Sequence, residues 1–405
     1  KNYKSAMEHR ATVTEALAKR VKGGKTLKLG AWRPGEALPS GVRGCVVPQG
    51  AVAKKLEPDS IRPTSDHTKT GLNAAVDMSQ VAHTLDTYNE IAAALKPGYF
   101  MGVEDVDGAF PVLPLAPPVW KYMFVHWFDI DQPLDLQRYP SQLYMHVFAD
   151  FGAAPSPGVW DKFFRCVKAM ARAAGILHLP MPHYVDDNSI IGPDARSVND
   201  TASALGGFIE SLGVRFKSLK SRAAATRQLV LGFWWDSVAR TRTLESHKLE
   251  IYVDHLRAAR AAKHLTLHDM QVLSGRMQRA ALTMPPRAIV YLANILRLTR
   301  GLTLPWHRRR VTAEVRKDID MLLSVLESNH GQGYFCYEHF GRAPKLYTAA
   351  AKERRHTGGG YFSECGRYNY WTYGSRVSRQ PIDALEGLAI LRAAQDIGHT
   401  WKNKI

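Results

Sequence analysis

The chain has 405 residues, 45% of them hydrophobic, which excludes a largely disordered protein and leaves room for two or three domains. It carries 54 Lys and Arg against 37 Asp and Glu, a formal net charge of +17. This excess predicts a polyanionic partner, with nucleic acid ahead of a membrane surface, although a generally basic surface is the alternative interpretation. Residues 240–320 hold 16 Lys and Arg against 7 Asp and Glu, interleaved with apolar residues, which indicates a basic lobe.

The four cysteines show neither zinc-ligand spacing nor the pattern of a disulfide framework. We therefore expect an intracellular, reducing compartment, whether nuclear, cytoplasmic or organellar. No apolar run approaches the roughly eighteen residues that a membrane-spanning helix needs, and no secretory signal is recognisable. A membrane is accordingly not among the predicted partners.

The N-terminal region, residues 1–44, predicts a basic helical start followed by a Gly/Pro-rich connector. From Cys45 to Pro63 the pattern predicts two short strands joined by a loop, which would bring Lys55 and Arg62 toward a common point. A basic hairpin of this kind can hold a triphosphate, and solvated surface cations are an equally good interpretation of the same residues.

An apolar spacing predicts a helix over Val81–Leu95, ended by Pro97-Gly98. The strand that follows from Tyr99 ends in acidic residues, with Asp105 at its terminus. Glu104 and Asp107 are rival metal ligands, but alternation places Glu104 on the opposite face of the strand and Asp107 already in the turn.

Residues 148–157 form a Gly/Ala/Pro-rich loop whose small residues would let the backbone approach a base pair closely. The loop leads into a helix that Gly175 stops. Its predicted buried face consists of Val159, Phe163, Val167, Met170 and Ala174.

Residues 183–192 hold two adjacent carboxylates, Asp186 and Asp187, between apolar and β-branched pairs typical of strands. Because Asp-Asp-Asn favours a turn, we predict a hairpin with both acids at its tip. Neighbouring carboxylates repel each other, and divalent cations relieve that repulsion. A solvated turn is the alternative interpretation of the acidic pair.

Residues 229–235 and 241–244 predict another hairpin, whose three consecutive aromatic residues suit either a nucleic-acid platform or simple packing. Residues 247–300 are predicted to be helical. Leu273, Met277, Ala280 and Ala281 form an apolar stripe, and Arg276 and Arg279 on the same helix could grip a duplex backbone without reading its sequence.

The last segment, from Leu346, predicts strand, glycine-rich turn, strand and then a helix that carries Asp383 and Glu386. This order indicates a small α/β unit.

Taken together, the order of these motifs resembles a reverse transcriptase. The segment 105–110 resembles the first catalytic motif, 151–157 the template-positioning motif, 184–187 the catalytic turn and 231–233 the primer-grip hairpin. The last segment resembles a ribonuclease H domain. The resemblance is closest to the DIRS group of retrotransposons, with long-terminal-repeat elements as the second choice.

The resemblance implies an α+β, right-hand polymerase. Its expected parts are an N-terminal extension (1–44), fingers (45–98), palm (99–245, with a fingers insertion at about 111–147), thumb (246–300), connection (301–345) and a truncated ribonuclease H-like domain (346–405).

The resemblance also implies a role for each motif residue. Asp105, Asp186 and Asp187 would bind two Mg²⁺ ions, with Mn²⁺ as a substitute, and Lys220 would donate a proton to pyrophosphate. The expected partners are an RNA template, a DNA primer and deoxynucleoside triphosphates. The implied nucleotide-binding residues are Lys55 with Lys54 as a register alternative, Arg62, Phe110, Gly152 and Tyr184, and the implied primer or template contacts are Leu231, Gly232, Phe233, Arg276 and Arg279.

The chain departs from the family at Ala349, where the ribonuclease H motif has its first Asp, although Glu386 fits that motif's glutamate. We therefore expect negligible RNA cleavage. An alternative to the polymerase is a catalytically silent, RNA-binding subunit of a larger ribonucleoprotein. A DNA-templated polymerase or a terminal transferase on the same scaffold is a third hypothesis, because these motifs do not specify the template.

Overall fold

A computed structural model describes residues 1–39, 43–54, 57–83, 85–133, 140–335, 345–353, 356–364 and 366–401. The chain divides into two compact units, Lys1–Gly333 and Tyr334–Ile405. Among the described residues, no helix is long and apolar enough to cross a membrane.

The first part of the larger unit combines two N-terminal helices with short strands. The elements are α1 (Lys4–Glu8), α2 (Arg10–Lys22), β1 (Thr26–Ala31), β2 (Gln49–Lys54), β3 (Glu57–Ser65), α3 (Leu72–Ala75), α4 (Tyr88–Ala94), β4 (Phe100–Asp105), α5 (Pro117–Trp120), β5 (Phe124–Trp127) and β6 (Gln142–His146).

The rest of this unit begins with a long amphipathic helix and ends in a mainly helical region. The elements are α6 (Ser156–Ala173), β7 (His183–Tyr184), β8 (Asp187–Gly192), α7 (Ala195–Ser211), β9 (Arg222–Ala225), β10 (Arg227–Val230), β11 (Phe233–Asp236), β12 (Thr241–Leu244), α8 (Ser246–Ala261), β13 (His264–Thr266), α9 (Leu267–Ala280), α10 (Leu292–Leu298), β14 (Arg308–Arg310), α11 (Ala313–Ser328) and β15 (Gln332–Tyr334).

The central sheet has the strand order β7-β8-β4-β9, and each pair that meets is antiparallel. Helices α6 and α7 supply its apolar cover: Trp160, Phe164, Leu205 and Ile209 are fully buried in one core with Ile190 of β8. This core fixes the ends of β4 and β8, where the acidic residues lie.

Other strands of this unit form sheets separate from the central one. The N-terminal sheet has the order β1-β6-β5, and β2 pairs with β3 as a separate antiparallel hairpin. This confirms the predicted basic hairpin, although its first strand begins at Gln49 instead of Cys45. Another sheet has the order β10-β11-β12-β15, so the predicted hairpin over residues 229–244 is a three-stranded meander that β15 extends.

The smaller unit consists of an antiparallel sheet and a helix packed on one face. The elements are β16 (Leu346–Lys352), β17 (Thr357–Ser363), β18 (Tyr368–Thr372), α12 (Ser375–Ser378) and α13 (Ile382–Ile397). Tyr361 and Trp371 pack with Ala389, Ala393 and Ile397. The predicted strands and helix are present, but the glycine-rich turn is wrong, because the glycines at residues 358–360 lie inside β17 and the sheet has three strands.

Several sequence predictions need correction. The helix predicted over Val81–Leu95 is only α4, because Thr87 and Glu90 form a capping box that starts the helix at Tyr88. The region 247–300 is not continuously helical, since β13 and 3₁₀ turns interrupt it. In α9, burial of Leu273, Met277 and Ala280 confirms most of the predicted stripe.

The buried face of α6 also differs from the prediction. Val167 is buried as predicted, but the rest of the buried face consists of Trp160, Phe164 and Ala171, whereas Val159 and Met170 are 42% and 51% exposed. The apolar residues of this helix cover two neighbouring faces, and the face with the larger aromatic side chains is the buried one.

Candidate active site

The acidic hairpin places its two carboxylates differently from the prediction. Tyr184 ends β7, Val185 and Asp186 form the turn, and Asp187 is already the first residue of β8. Val185 has a φ of 56°, which is unusual for a β-branched residue. Its carbonyl accepts a hydrogen bond of 2.6 Å from the indole Nε1 of Trp160. Helix α6 therefore supports the strained turn through this hydrogen bond.

Strand β4 brings the third carboxylate to the same place. In the antiparallel register Asp105 lies opposite Asp187. One residue later, the backbone N–H of Val106 donates to the carbonyl of Asp186 at 2.9 Å. Three acidic residues from two distant parts of the chain thus meet at one end of the central sheet.

The carboxylates of this cluster influence one another electrostatically. Burial raises the pKa of Asp187 to about 6, and the charges of Asp186 and Asp105 contribute to the increase. The pKa of Asp186 is also raised, first by burial and then by Asp105. A cation would stabilise anionic carboxylates held together in such a partly desolvated position.

Two lysines lie beside Asp105. The Nζ of Lys217 is 3.0 Å from Oδ1 of Asp105, and the Nζ of Lys220 is 3.4 Å from Oδ2. Lys217 is also 3.7 Å from Asp107. The motifs point to Lys220 but not to Lys217, because a lysine in the connection between α7 and β9 carries no local pattern that reveals its partner.

The donor set suits a hard divalent cation, since Mg²⁺ prefers carboxylate oxygens. As the side chains lie, however, no three Asp, Glu, His or Cys residues in the described part of the chain form a metal-holding group. The ammonium groups of Lys217 and Lys220 lie beside Asp105 instead. By residue type the cluster fits the metal, and binding would require Asp105 to leave its lysine contacts.

The two rival acids have other surroundings. Glu104 is buried and accepts a hydrogen bond from the Ser221 hydroxyl, so it lies away from the cluster, as alternation predicted. Burial raises the pKa of Glu104. Asp107 has a side chain that is 56% exposed and a backbone N–H bonded to Arg215, which places it in the turn after β4.

The predicted nucleotide-binding residues partly converge. The Arg62 guanidinium lies 5.0 Å from the ring centroid of Phe151, and that ring lies 5.4 Å from the ring of Phe110. Lys55 and the side chain of Lys54 lie outside the described residues. Tyr184 is 41% exposed next to the acidic turn.

Gly152 has a structural reason to be glycine. Its φ is 121°, and a Cβ at this position would collide with the backbone carbonyl of Ser65 at the end of β3. The loop after β6 and the basic hairpin therefore meet backbone to backbone.

The predicted primer-grip residues form the tight turn between β10 and β11. Leu231 and Gly232 both have positive φ, and Phe233 is fully buried. The Arg279 guanidinium donates to the Leu231 carbonyl and lies 5.5 Å from the ring centroid of Phe233. Arg276 contacts His255 at 2.8 Å. Both arginines of α9 are thus engaged within the protein.

A buried group of charges lies behind β7. His183 contacts Asp161 at 2.9 Å and Asp86 at 3.3 Å, and the Lys168 Nζ is 3.0 Å from His183 Nδ1. Burial lowers the pKa of His183 to about 4, and the charge of Lys168 adds to the effect. This group, which the sequence analysis did not identify, fixes the strand that leads into the acidic turn.

Comparison with solved structures identifies the architecture. The foamy viral protease-reverse transcriptase dRH, in complex with double-stranded DNA, matches with a TM-score of 0.60 and 13% identity over 98% of this chain and 61% of that chain. The foamy viral protease-reverse transcriptase with an RNA/DNA hybrid matches with a TM-score of 0.55 and 14% identity over 98% of this chain and 47% of that chain. The chain has a reverse transcriptase-like fold.

This likeness concerns the fold alone, since the identities are low. The chain spans roughly half to three-fifths of the length of these two proteins. No protein-family model and no curated protein sequence matches it. The resemblance to the DIRS group stays a prediction.

Proposed function

We propose that the protein is an RNA-directed DNA polymerase that works by two-metal nucleotidyl transfer. The observation that carries the proposal is the register of β4 and β8, which sets Asp105 opposite Asp187 with Asp186 in the adjoining turn. The reverse transcriptase-like fold supports it. The proposed substrates are deoxynucleoside triphosphates on an RNA template with a DNA primer.

Asp105, Asp186 and Asp187 would hold the two Mg²⁺ ions. When bound, these ions would activate the primer 3′ hydroxyl and neutralise charge on the phosphates. The three carboxylates supply the negative charge for this binding. The hydrogen bond from Trp160 to Val185 would fix the turn that carries Asp186 and Asp187 against α6. Lys220, which lies beside Asp105, would donate a proton to pyrophosphate in this proposal.

The nucleotide would lie between the basic hairpin and the turn after β4. In this proposal Arg62, with Lys55 or Lys54, binds the triphosphate, and Phe110 lies under the sugar and excludes a 2′ hydroxyl. Gly152 would carry the templating pair. Stacking of Arg62 on Phe151 keeps its guanidinium extended and ready for phosphate.

The primer would pass the turn at Leu231, Gly232 and Phe233. Because Arg279 already binds the carbonyl of Leu231, its proposed role is to hold this turn against α9 instead of gripping phosphate directly. Arg276 would likewise contribute indirectly to the primer site, because its guanidinium contacts His255 on α8.

The proposed parts of the hand are fingers (45–98), palm (99–245, with an insertion at about 111–147), thumb (246–300) and connection (301–345), preceded by the N-terminal extension (1–44). The smaller unit would be a truncated ribonuclease H-like domain (346–405) without activity. Ala349 lies on β16 opposite Gly360, and an alanine cannot ligate a metal.

A second candidate function is a catalytically silent, RNA-binding subunit of a larger ribonucleoprotein. The ion pairs from Lys217 and Lys220 to Asp105 favour it, because they already neutralise a carboxylate that a polymerase needs for metal. The two candidates make opposite predictions about catalysis and the same prediction about binding.

Primer extension on an RNA template with Mg²⁺ distinguishes them. We expect the wild-type protein to extend the primer and Asp186→Asn to lose about 10³-fold or more in rate, as removal of a metal ligand does. Asp200→Asn is the matched control, since it removes the same charge from the exposed face of α7.

Extension that survives in Asp186→Asn would contradict the assigned site. Absence of extension in the wild type, combined with salt-sensitive RNA binding, would support the silent subunit. Replacing the RNA template by DNA in the same assay tests whether the polymerase depends on RNA.

A further inference from the structure

A cavity of about 540 Å³ opens beside the turn that follows β4. Its lining includes Asp107 and Gly108 from that turn, together with Arg62 and Phe151. It also includes residues from an unexpected part of the chain, the last turns of α2 and the segment that connects α2 to β1. The N-terminal region, predicted only as a basic extension, is therefore part of the surroundings of the candidate site.

The cations of this N-terminal wall differ in their roles. Arg20 has its guanidinium bonded to the carbonyls of Phe148 and Ala149, so it is a structural residue. Lys19 and Lys22 are exposed at the rim. Lys25, in contrast, is half-buried and lines the cavity.

Lys25 has no side-chain partner among the described residues. Its backbone is fixed at both ends, because its N–H donates to Arg20 and its carbonyl accepts from Val147. Burial and the nearby charges of Arg20 and Lys19 lower the pKa of its ammonium group, whereas Asp107 raises it. A half-buried cation held in position without a counter-ion is stabilised by an anionic ligand.

Arg62 faces the same cavity from the basic hairpin, also without an ion pair in the described part of the chain. Two carboxylates line the cavity as well, but each already has a cationic or imidazole neighbour. Asp150 lies 2.9 Å from His67, and Asp107 lies 3.7 Å from Lys217. Lys25 and Arg62, which form no ion pair with the described residues, therefore leave the cavity suited to an anionic ligand.

We propose that Lys25 binds the phosphates of the incoming deoxynucleoside triphosphate, opposite Arg62. The position of the cavity next to Asp107 and Gly108, two and three residues after Asp105, supports this assignment. The ligand class is a polyphosphate, since cations on separate walls suit a chain of phosphates better than a single one. The inference rests on the proposed polymerase function for its substrate.

The variants Lys25→Met and Lys25→Arg test the proposal in steady-state primer extension. We expect Lys25→Met to raise KM for the nucleotide about 10-fold, the effect of losing one charge-assisted contact, with primer–template affinity unchanged. Lys25→Arg, which keeps the charge, should restore most of the loss. Lys4→Met is the control, because Lys4 belongs to the same N-terminal segment but pairs with Glu8 on the exposed face of α1.

A binding measurement separates this inference from the polymerase proposal. Inorganic tripolyphosphate, titrated without metal into the full chain, should bind the wild type more tightly than Lys25→Met by a similar factor. If the wild type extends primers and Lys25→Met keeps both its KM and its tripolyphosphate affinity, the inference is wrong and the polymerase stands. If no variant extends primers but tripolyphosphate binding still depends on Lys25, the cavity is a polyphosphate site and only the polymerase fails.

Discussion

The cluster of Asp105, Asp186 and Asp187 keeps like charges together in a partly desolvated position, which lowers the stability of the metal-free protein. The raised pKa values of Asp186 and Asp187 express that penalty. Removal of one carboxylate should therefore affect stability and metal binding in opposite directions.

Asp187→Asn tests this expectation. Without metal, the substitution should raise the free energy of unfolding by about 1 kcal/mol, because it removes repulsion from Asp186 and Asp105. With Mg²⁺ or Mn²⁺, the wild type should gain thermal stability and the variant should gain little. Thermal unfolding with and without the cation measures both effects, and Asp200→Asn serves again as the control.

The pKa of Asp187 also predicts how metal affinity depends on pH. Because the carboxyl must lose its proton to bind a cation, the affinity for Mn²⁺ should fall as the pH drops below about 6. An Asp carboxyl with the ordinary pKa would keep its affinity for Mn²⁺ down to about pH 4. Titration of Mn²⁺ at pH 7 and pH 5 distinguishes the two, and equal affinities would contradict the assigned surroundings of Asp187.

His183 predicts a second pH effect, on folding. Its pKa is about 4 in the folded protein and about 6.5 when unfolded, so the unfolded chain binds more protons between these values. The free energy of unfolding should therefore fall as the pH drops from 7 to 4.5, with a contribution of about 2 kcal/mol from this residue. Denaturant unfolding of the wild type and of His183→Gln at both pH values should give a smaller decrease for the variant.

At the scale of the elements, the contact between α6 and the acidic turn gives a prediction about catalysis. Trp160→Phe keeps the buried aromatic ring but removes the hydrogen bond to Val185, which has positive φ. We expect a loss of about 1 kcal/mol in stability and a larger, roughly 10-fold, loss in the rate of primer extension.

Trp120→Phe is the matched control for this variant. The indole of Trp120 donates in the same way to the carbonyl of Leu115 at 2.8 Å, outside the acidic cluster. Trp160→Phe should lose more stability, because Trp160 is fully buried and Trp120 is only partly buried, and only Trp160→Phe should lose activity. Equal rates in the two would mean that the turn keeps its geometry without α6.

The elements also show what the sequence can and cannot predict. Local patterns predicted the basic hairpin, the acidic hairpin and the position of Asp105 at a strand end, because each depends on neighbouring residues. The predicted buried face of α6 was displaced by one position except at Val167, because the side chains of Trp160 and Phe164 bury more apolar surface than the residues of the predicted stripe. Lys217, Lys25 and the charges around His183 had no local signal, because their partners lie on distant segments.

At the scale of the whole molecule, the net charge of +17 predicts strongly salt-dependent binding. We expect affinity for an RNA–DNA duplex to fall by about 10³-fold or more between 50 and 200 mM salt, with little dependence on base sequence. Fluorescence anisotropy with two unrelated duplexes measures both properties. A salt-independent affinity would contradict phosphate contacts as the main source of binding.

The smaller unit predicts an absence of RNA cleavage. If the smaller unit is the proposed ribonuclease H-like domain, with Ala349 at a metal-ligand position, the full chain should leave the RNA strand of a hybrid intact in Mg²⁺ and in Mn²⁺. Gel analysis of a labelled RNA strand during primer extension checks this, and cleavage that Glu386→Gln abolishes would overturn the assignment.

The location of Lys25 has a practical consequence for anyone who shortens this protein. A domain boundary drawn from the sequence pattern alone would remove the first 44 residues as a dispensable extension of the polymerase fold. That truncation would remove Lys25 itself together with α1 and α2, take β1 out of the β1-β6-β5 sheet, and open that side of the cavity to solvent. Under the proposed function, the smallest active form should therefore include the first helix, and shorter forms should bind nucleotides poorly even when they still bind the duplex.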